Sequence, residues 1–421
     1  MVTLAKITPC FENSKAVVFS NLRNGIGAGT TELHIARPYN RSLNPKYILL
    51  FLKAPQFLLI GETKMTGTAG QKRLPKEFFA GNPLPLPPLS EQHRIVAKVD
   101  ELMALCDQLE QQQTDSITAH QILVETLLKT LTDSENAEQL ALNWAVLSEH
   151  FDTLFTTEHS IAQLKQTILH LAVMGKLVPQ GPNDEPASVL LEKIVEEKAR
   201  LVKEGKTKQQ KILPEIVDDE KLFEIMDGWE WSRLGDLWLD SFYGPRFGKD
   251  EYVAHGGYPT IRTTDMTSDG KILLKDPPEI LVEESKLSLY GLEKGDLLIT
   301  RSGSIGTMAI FNLDIAAIPS AYLIRIRLSK PMVPEYVLLM LMSPLGQSYL
   351  GLNTTSVGVP NVNATKMSQF VFAIPPEAEQ HRIVAKVDEL MALCDQLQAQ
   401  INKAQTTQIH LADAIVEQAI A

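Results

Sequence analysis

The sequence predicts an α+β protein: two globular regions separated by two long helices that pack as an antiparallel coiled coil. Three observations carry this. The first is a repeat. EQHRIVAKVDELMALCDQL fills Glu91–Leu109 and returns unchanged at Glu379–Leu397, 288 residues later. That offset far exceeds any solenoid period, so the chain is one long duplication and not an array. The second is an apolar stripe within the repeat. Val99, Leu102, Cys106 and Leu109, like Val387, Leu390, Cys394 and Leu397, recur at the a and d spacing of a heptad. Two identical stripes in one chain point to mutual packing. The third is a set of short β-rich runs broken by glycine and proline, which is not the pattern of an all-helical chain.

In chain order, residues 1–86 form a first globular region and 87–131 the first long helix. A helical connector and linker occupies 132–227. A second globular region covers 228–374, and the second long helix 375–421. Each helix starts at a Pro-Pro pair, Pro87-Pro88 or Pro375-Pro376, which cannot lie inside a helix and sets its boundary. In the connector, Leu164, Ile168, Leu171 and Ala172 have helical spacing that ends near Gly175. Val189–Glu204 reads as an amphipathic helix, followed by a basic linker and the acidic run Asp218-Asp219-Glu220. In the second globular region, Ile280–Val282, Asp296–Thr300, Met308–Phe311 and Ala321–Leu328 read as strands, and Pro334–Met342 as a helix.

The duplication extends upstream of the repeat. Pro45–Leu50 resembles Pro334–Leu339, Glu32–Arg37 matches Tyr322–Arg327, and Leu4-Ala5-Lys6 sits over Ile299-Thr300-Arg301. On this alignment the first globular region is shorter than the second by roughly 70 residues. A truncated gene, a misassigned start and a natural short form would each produce that.

The net charge of −11 argues against a polyanionic partner until it is divided by region. Residues 1–90 carry +7 and contain no aspartate, whereas residues 91–227 carry −12. The acidity therefore lies on the helices and connector. The second globular region has local basic groups set among aromatics, glycines and hydroxyls. Tyr243, Arg246, Lys249, Arg262, Thr263, Thr264, Arg301, Ser302 and Ser304 are its candidates for DNA contact. Lys6, Lys15, Arg23, Lys72 and Arg73 are those of the first. Arginine and lysine neutralise phosphate, arginine reads guanine bidentately, and hydroxyls reach phosphate or base edges.

Catalytic patterns are absent. Arg301–Thr307 lacks the lysine of a phosphate loop, and Gly25–Gly29 has the wrong spacing for a dinucleotide fold. Asn82-Pro83-Leu84-Pro85 is not an amino-methyltransferase motif, and the three cysteines have no metal spacing. Cys106 and Cys394 read as core, and His93 and His381 as capping or solvated groups. Few cysteines, no apolar run long enough to span a bilayer and no leader pattern make a cytoplasmic chain without membrane contact the expectation.

At four places the chain resembles the specificity subunits of type I restriction–modification enzymes, the HsdS family. These are the hinge-helix stretch Pro87–Val96 with its echo at Pro375–Val384, the stretch Leu169–Pro186, the opening Gly228–Gly235 (GWEWSRLG), and Ala5–Arg37. The resemblance implies two target recognition domains, each reading half of a split site in double-stranded DNA, with the helix pair setting the half-site spacing. It implies two modification (methyltransferase) subunits and restriction subunits as partners. S-adenosylmethionine, ATP and Mg would be used by those partners and no cofactor or metal by this chain, which would be a non-catalytic subunit of a complex that methylates adenine and cleaves DNA. The shortened first region leaves open a subunit that reads one half-site or forms a homodimer. A coiled-coil scaffold without a DNA role is the remaining alternative.

Overall fold

The computed structural model describes every residue except Asn21, Arg23, Gly25, 39–41, Ala69, Asn136, 302–305, 353–361 and Ala421. The chain forms two compact units, residues 1–119 and 120–421.

The first unit has three strands, β1 (Val2–Ala5), β2 (Ala16–Val18) and β3 (Leu33–Ala36), in the antiparallel order β2-β1-β3. Helices α1 (Pro45–Lys53), α2 (Pro55–Lys64) and α3 (Lys76–Gly81) follow. Then α4 (Leu89–Thr132) begins, as the Pro-Pro pair requires. Proline at the first position of α1 costs no hydrogen bond, and the Asn44 side chain accepts the N–H of Lys46 at 2.9 Å to close the turn. The core gathers Val2, Leu4, Phe11, Ile48, Leu52, Phe57, Met65 and Leu74.

The second unit opens on helices. The end of α4 (Val124, Leu128, Leu131) packs with α5 (Ala137–Ser148), α6 (Phe151–Leu154) and α7 (Glu158–Val173). Thr157 and Ser160 cap the start of α7 reciprocally. The helix stops before Gly175, whose φ of +70° a side chain rarely adopts; a Cβ there would also lie 2.8 Å from the Trp229 ring. Helix α8 (Ala187–Lys203) follows.

The globular part of this unit then runs through β4 (Glu230–Arg233), α9 (Leu234–Leu237), β5 (Trp238–Tyr243), β6 (Tyr252–Val253), β7 (Tyr258–Ile261) and β8 (Glu279–Ile280). It continues with α10 (Glu284–Tyr290), β9 (Asp296–Thr300), β10 (Met308–Phe311), β11 (Ile318–Pro319) and β12 (Leu323–Leu328). Last come α11 (Pro334–Met342), α12 (Pro344–Leu352), α13 (Ala364–Ser368), β13 (Val371–Ile374) and α14 (Glu377–Ile420). One sheet has the order β10-β9-β12-β5, a second β11-β7-β8-β6, and β13 pairs with β4. Every residue of β9 and β10 is buried; β10 is apolar throughout, and in β9 the apolar run Leu297–Ile299 follows a buried Asp296 that Arg327 holds at 2.8 Å.

The duplication is reproduced strand by strand. In the first unit Val2, Thr3, Leu4 and Ala5 face Ala36, Ile35, His34 and Leu33. In the second, Leu297, Leu298, Ile299 and Thr300 face Ile326, Arg325, Ile324 and Leu323. This is the same register under the sequence alignment, and β2 and β10 take the same edge in each. The outer edges differ. β12 carries β5, whereas among the described residues no strand pairs with the outer edge of β3.

Both long helices are present, α4 and α14. The stripe of α14, with Val387, Leu390, Cys394 and Leu397 all buried, lies along α7 of the connector, and Lys165 of α7 pairs with Asp395 at 2.6 Å. The identical residues of α4 differ. Leu102 is 44% and Leu109 55% exposed, Cys106 is exposed and Val99 half-buried. Cys394 is core as expected, and burial pushes its thiol up to about 11. Cys106 is not core. No described helix is long and apolar enough to cross a membrane.

Candidate functional site

The strand ends of the second unit build one corner. β9 ends at Thr300, β12 begins at Leu323 and β5 ends at Tyr243. Their register sets Leu323 opposite Thr300 and Ile324 opposite Tyr243. Arg301, Tyr322 and Tyr243 therefore emerge together. The Arg301 N–H donates to the Tyr322 carbonyl at 2.9 Å, and the Gly244 N–H to that of Leu323 at 3.0 Å. The Arg301 guanidinium lies 4.5 Å from the centroid of the Tyr243 ring, a cation–π stack. The Tyr243 hydroxyl accepts the N–H of Ala364 at 3.2 Å, which fixes the ring. Among the described residues no carboxylate forms an ion pair with Arg301. Its charge is thus held in place without being neutralised.

Gly244 allows the corner to close. A Cβ there would stand 1.9 Å from the carbonyl oxygen of Ser320. Ser320 in turn donates its N–H to Ile261 at the end of β7 (2.9 Å), which brings residues 262–264 alongside. The structure so gathers Tyr243, Arg301 and Arg262–Thr264, which sequence reasoning had singled out separately.

These residues do different things. Arg262 donates Nε and Nη2 to the buried Asp265 at 3.0 and 2.8 Å and reaches the Lys275 carbonyl at 3.1 Å. Asp265 raises its pKa through that hydrogen bonding. Arg262 braces the turn that presents Thr263 and the exposed Thr264. We expect Arg262→Ala to lower the melting temperature, by on the order of 1–3 kcal/mol of stability, because it leaves a buried carboxylate short of donors. Equilibrium unfolding in urea checks it. Arg246 and Lys249 are exposed on the loop after β5. Ser302 and Ser304 lie outside the described residues.

In the first unit Lys6 occupies the place of Arg301, and its N–H donates to the Glu32 carbonyl at 3.0 Å as that of Arg301 does to Tyr322. Its surroundings are different. Arg73 holds Glu32 through Nε (2.9 Å) and Nη2 (2.9 Å), and that hydrogen bonding keeps the Glu32 carboxyl below its usual range. Arg73 is thereby occupied. Lys15 and Lys72 are exposed, and Arg23 lies outside the described residues.

Sequence reasoning missed Tyr322, which is 64% exposed at the corner. Its signal was its position, opposite Glu32 in the repeat alignment. It also missed Arg325, buried beneath the ring of Phe242 at 4.2 Å and paired with Asp240 at 2.6 Å. The hinge histidines are ordinary. His381 is exposed, and Nδ1 of the exposed His93 lies 3.2 Å from the Asn44 amide nitrogen.

The fold is that of a modular protein, a repeated α+β unit followed in each copy by a long helix, with an arginine–tyrosine stack at the strand ends of the second copy. A family described as the type I restriction modification DNA specificity domain matches residues 29–119 and 226–405. The chain is 48% identical to the type I restriction enzyme EcoAI specificity subunit of Escherichia coli, over the whole of this chain and 72% of that one. It is 46% identical to the EcoEI specificity subunit of Escherichia coli over the same shares. A solved chain from work on complex assembly and conformational transition of the type I R-M system has the same fold, at a TM-score of 0.53 and 17% identity, covering 99% of this chain and 81% of that one. The chain belongs to the family of type I restriction–modification specificity subunits, HsdS.

Proposed function

We propose that the second globular region reads one half of a split DNA sequence with the Arg301–Tyr243 corner, and that the first reads the other half. The observation that carries this reading is the guanidinium held on Tyr243 without a carboxylate partner. A pre-positioned arginine loses little conformational entropy on meeting a guanine edge, and Thr263 and Thr264, on the turn after β7, add hydroxyls suited to phosphate or base contact. The long helices set the half-site spacing and dock two modification subunits and the restriction subunits, and their acidic surface suits protein partners better than DNA. The chain itself is non-catalytic and works in the cytoplasm. S-adenosylmethionine, ATP and Mg belong to its partners. Among the described residues no group of three or more His, Cys, Asp or Glu could hold a metal.

In the assembled complex, Arg301→Ala lowers affinity for the cognate site roughly 10- to 100-fold, as loss of one bidentate base contact does. Equilibrium binding at fixed salt against cognate and scrambled duplexes checks it. An equal loss on both duplexes makes Arg301 a phosphate contact; no loss on either removes it from the interface.

The second reading, in which only one half-site is recognised or two copies pair, is supported by the Glu32–Arg73 pair, which occupies a cation that the first region would otherwise offer DNA. Footprinting separates the two readings: protection over both half-sites supports the first, over one the second. A scaffold without a DNA role requires no protection at all.

A further inference from the structure

One buried glutamine is held in the same way at the root of each long helix. Gln92 Oε1 accepts the N–H of Asn44 at 2.8 Å, and its Nε2 donates to the carbonyls of Pro87 at 2.9 Å and Ser42 at 3.1 Å. Gln380, its counterpart in the repeat, accepts the N–H of Val333 at 3.2 Å and donates to the Pro375 carbonyl at 3.0 Å. Both side chains are essentially inaccessible to solvent. Asn44 and Val333 are the N-cap residues of α1 and α11, and Pro87 and Pro375 open the two hinges. Each glutamine thus joins three backbone segments: the long helix it belongs to, the hinge before it, and the first turn of the helix that follows the sheet.

Only a neutral amide fits both ends of this arrangement. Glutamate cannot donate to the proline carbonyl, and leucine leaves a buried N–H and a buried C=O without partners. The partners are backbone groups, so no neighbouring side chain can substitute for them. The side-chain contacts between charged and aromatic groups at the two roots differ. The first uses Lys46–Asp100 at 2.8 Å, and the second uses Trp229 on Glu379 at 3.1 Å. The glutamine is a side-chain link the two roots share, beside the Pro88 and Pro376 carbonyls that accept the first N–H groups of each helix.

We propose that Gln92 and Gln380 are positioning residues that fix the angle at which each recognition module leaves its helix, and so the half-site spacing the subunit accepts. This rests on the split-site reading above. The lever is long. A tilt of about 10° at the root moves a surface ~30 Å away, across a module of this size, by ~5 Å. That exceeds the ~3.4 Å rise of one base pair. Without the lock, the module samples neighbouring spacings while its own reading corner stays intact.

The test uses the complex assembled with its modification subunits. Wild type, Gln380→Leu, Gln92→Leu and the double variant methylate a DNA library whose spacer varies in single-base-pair steps. Affinity for a duplex carrying one half-site is measured alongside. The expected result is a loss of discrimination against spacers one base pair too long or short, at least tenfold in the double variant, with half-site affinity within twofold of wild type. Gln380→Asn, which keeps the amide but shortens its reach, gives the same readout if the leucine variants do not fold. Unaltered spacer preference in folded variants overturns the proposal. So does a parallel loss of half-site affinity, which would make the glutamines supports of the fold only. A wild-type complex indifferent to spacer length overturns the split-site reading, and this proposal with it.

Discussion

Arg233→Ala should destabilise the second unit by about 1–3 kcal/mol, the range for leaving polar partners short of a donor where water can partly replace it. Arg233 is the arginine of the GWEWSRLG stretch and is almost wholly buried, its side chain 4% exposed. Nε donates to the Pro214 carbonyl at 2.8 Å. Nη1 reaches Glu220 at 3.0 Å and the Gln369 carbonyl at 2.8 Å, and Nη2 reaches Glu220 at 2.7 Å and the Glu215 carbonyl at 3.1 Å. One guanidinium thus ties the acidic linker and the turn before β13 to β4. Alanine leaves two linker carbonyls, a turn carbonyl and a carboxylate short of donors. By the usual scaling for a domain of this size the melting temperature falls by roughly 2–6 °C. Arg233→Lys keeps the charge but loses the planar fork, and should fall between the two. Calorimetry of the three proteins checks the order. A melting temperature within a degree of wild type for alanine would contradict it.

The second expected result concerns pH. Glu379 is buried at the start of α14. The Trp229 indole donates to one of its oxygens, and the other has no hydrogen-bond partner. Desolvation pushes this carboxyl from its usual 4.5 up to about 7, against the indole hydrogen bond. Arg382 lies close but is committed to Asp184, which repels the carboxylate in turn; Tyr336 is buried nearby. Between pH 4.5 and 7 the folded chain therefore holds a proton that the unfolded chain has lost. Stability contributed by the protonated form is complete below pH 4.5 and falls as pH rises through 7. The full span is on the order of 3 kcal/mol, since each tenfold difference in proton affinity is worth ~1.4 kcal/mol. Glu379→Gln cannot ionise, so this fall should vanish and the variant should be the more stable protein at about pH 8. Melting curves from about pH 4.5 to 8.5 decide it. A wild type whose stability does not fall across that window, relative to Glu379→Gln, would sink the assignment.

Much of the candidate site was legible before the structure. Tyr243, Arg301 and Arg262–Thr264 stood out because basic groups among aromatics, hydroxyls and glycines are a surface chemistry visible in one dimension. What was not legible was which cations are free. Arg262 and Arg73 look like Arg301 in the sequence. Whether a guanidinium is held by a carboxylate depends on Asp265 or Glu32 arriving in space. For Glu32 that partner is 41 residues away, and no local pattern announces it.

The sequence by itself determined the duplication, the α+β modules, the strands β9 and β10, the helix after β12 and the starts of both long helices. These rest on local signals: side-chain period, β-branched runs and proline. It did not determine what the long helices touch. One nineteen-residue sequence, with identical propensities and identical stripes, buries Val387, Leu390, Cys394 and Leu397 in one copy and exposes Leu102, Cys106 and Leu109 in the other. A stripe encodes that a helix has an apolar face, and burial depends on which surface is brought against that face. Only the tertiary structure, by placing α7 along α14, decided that.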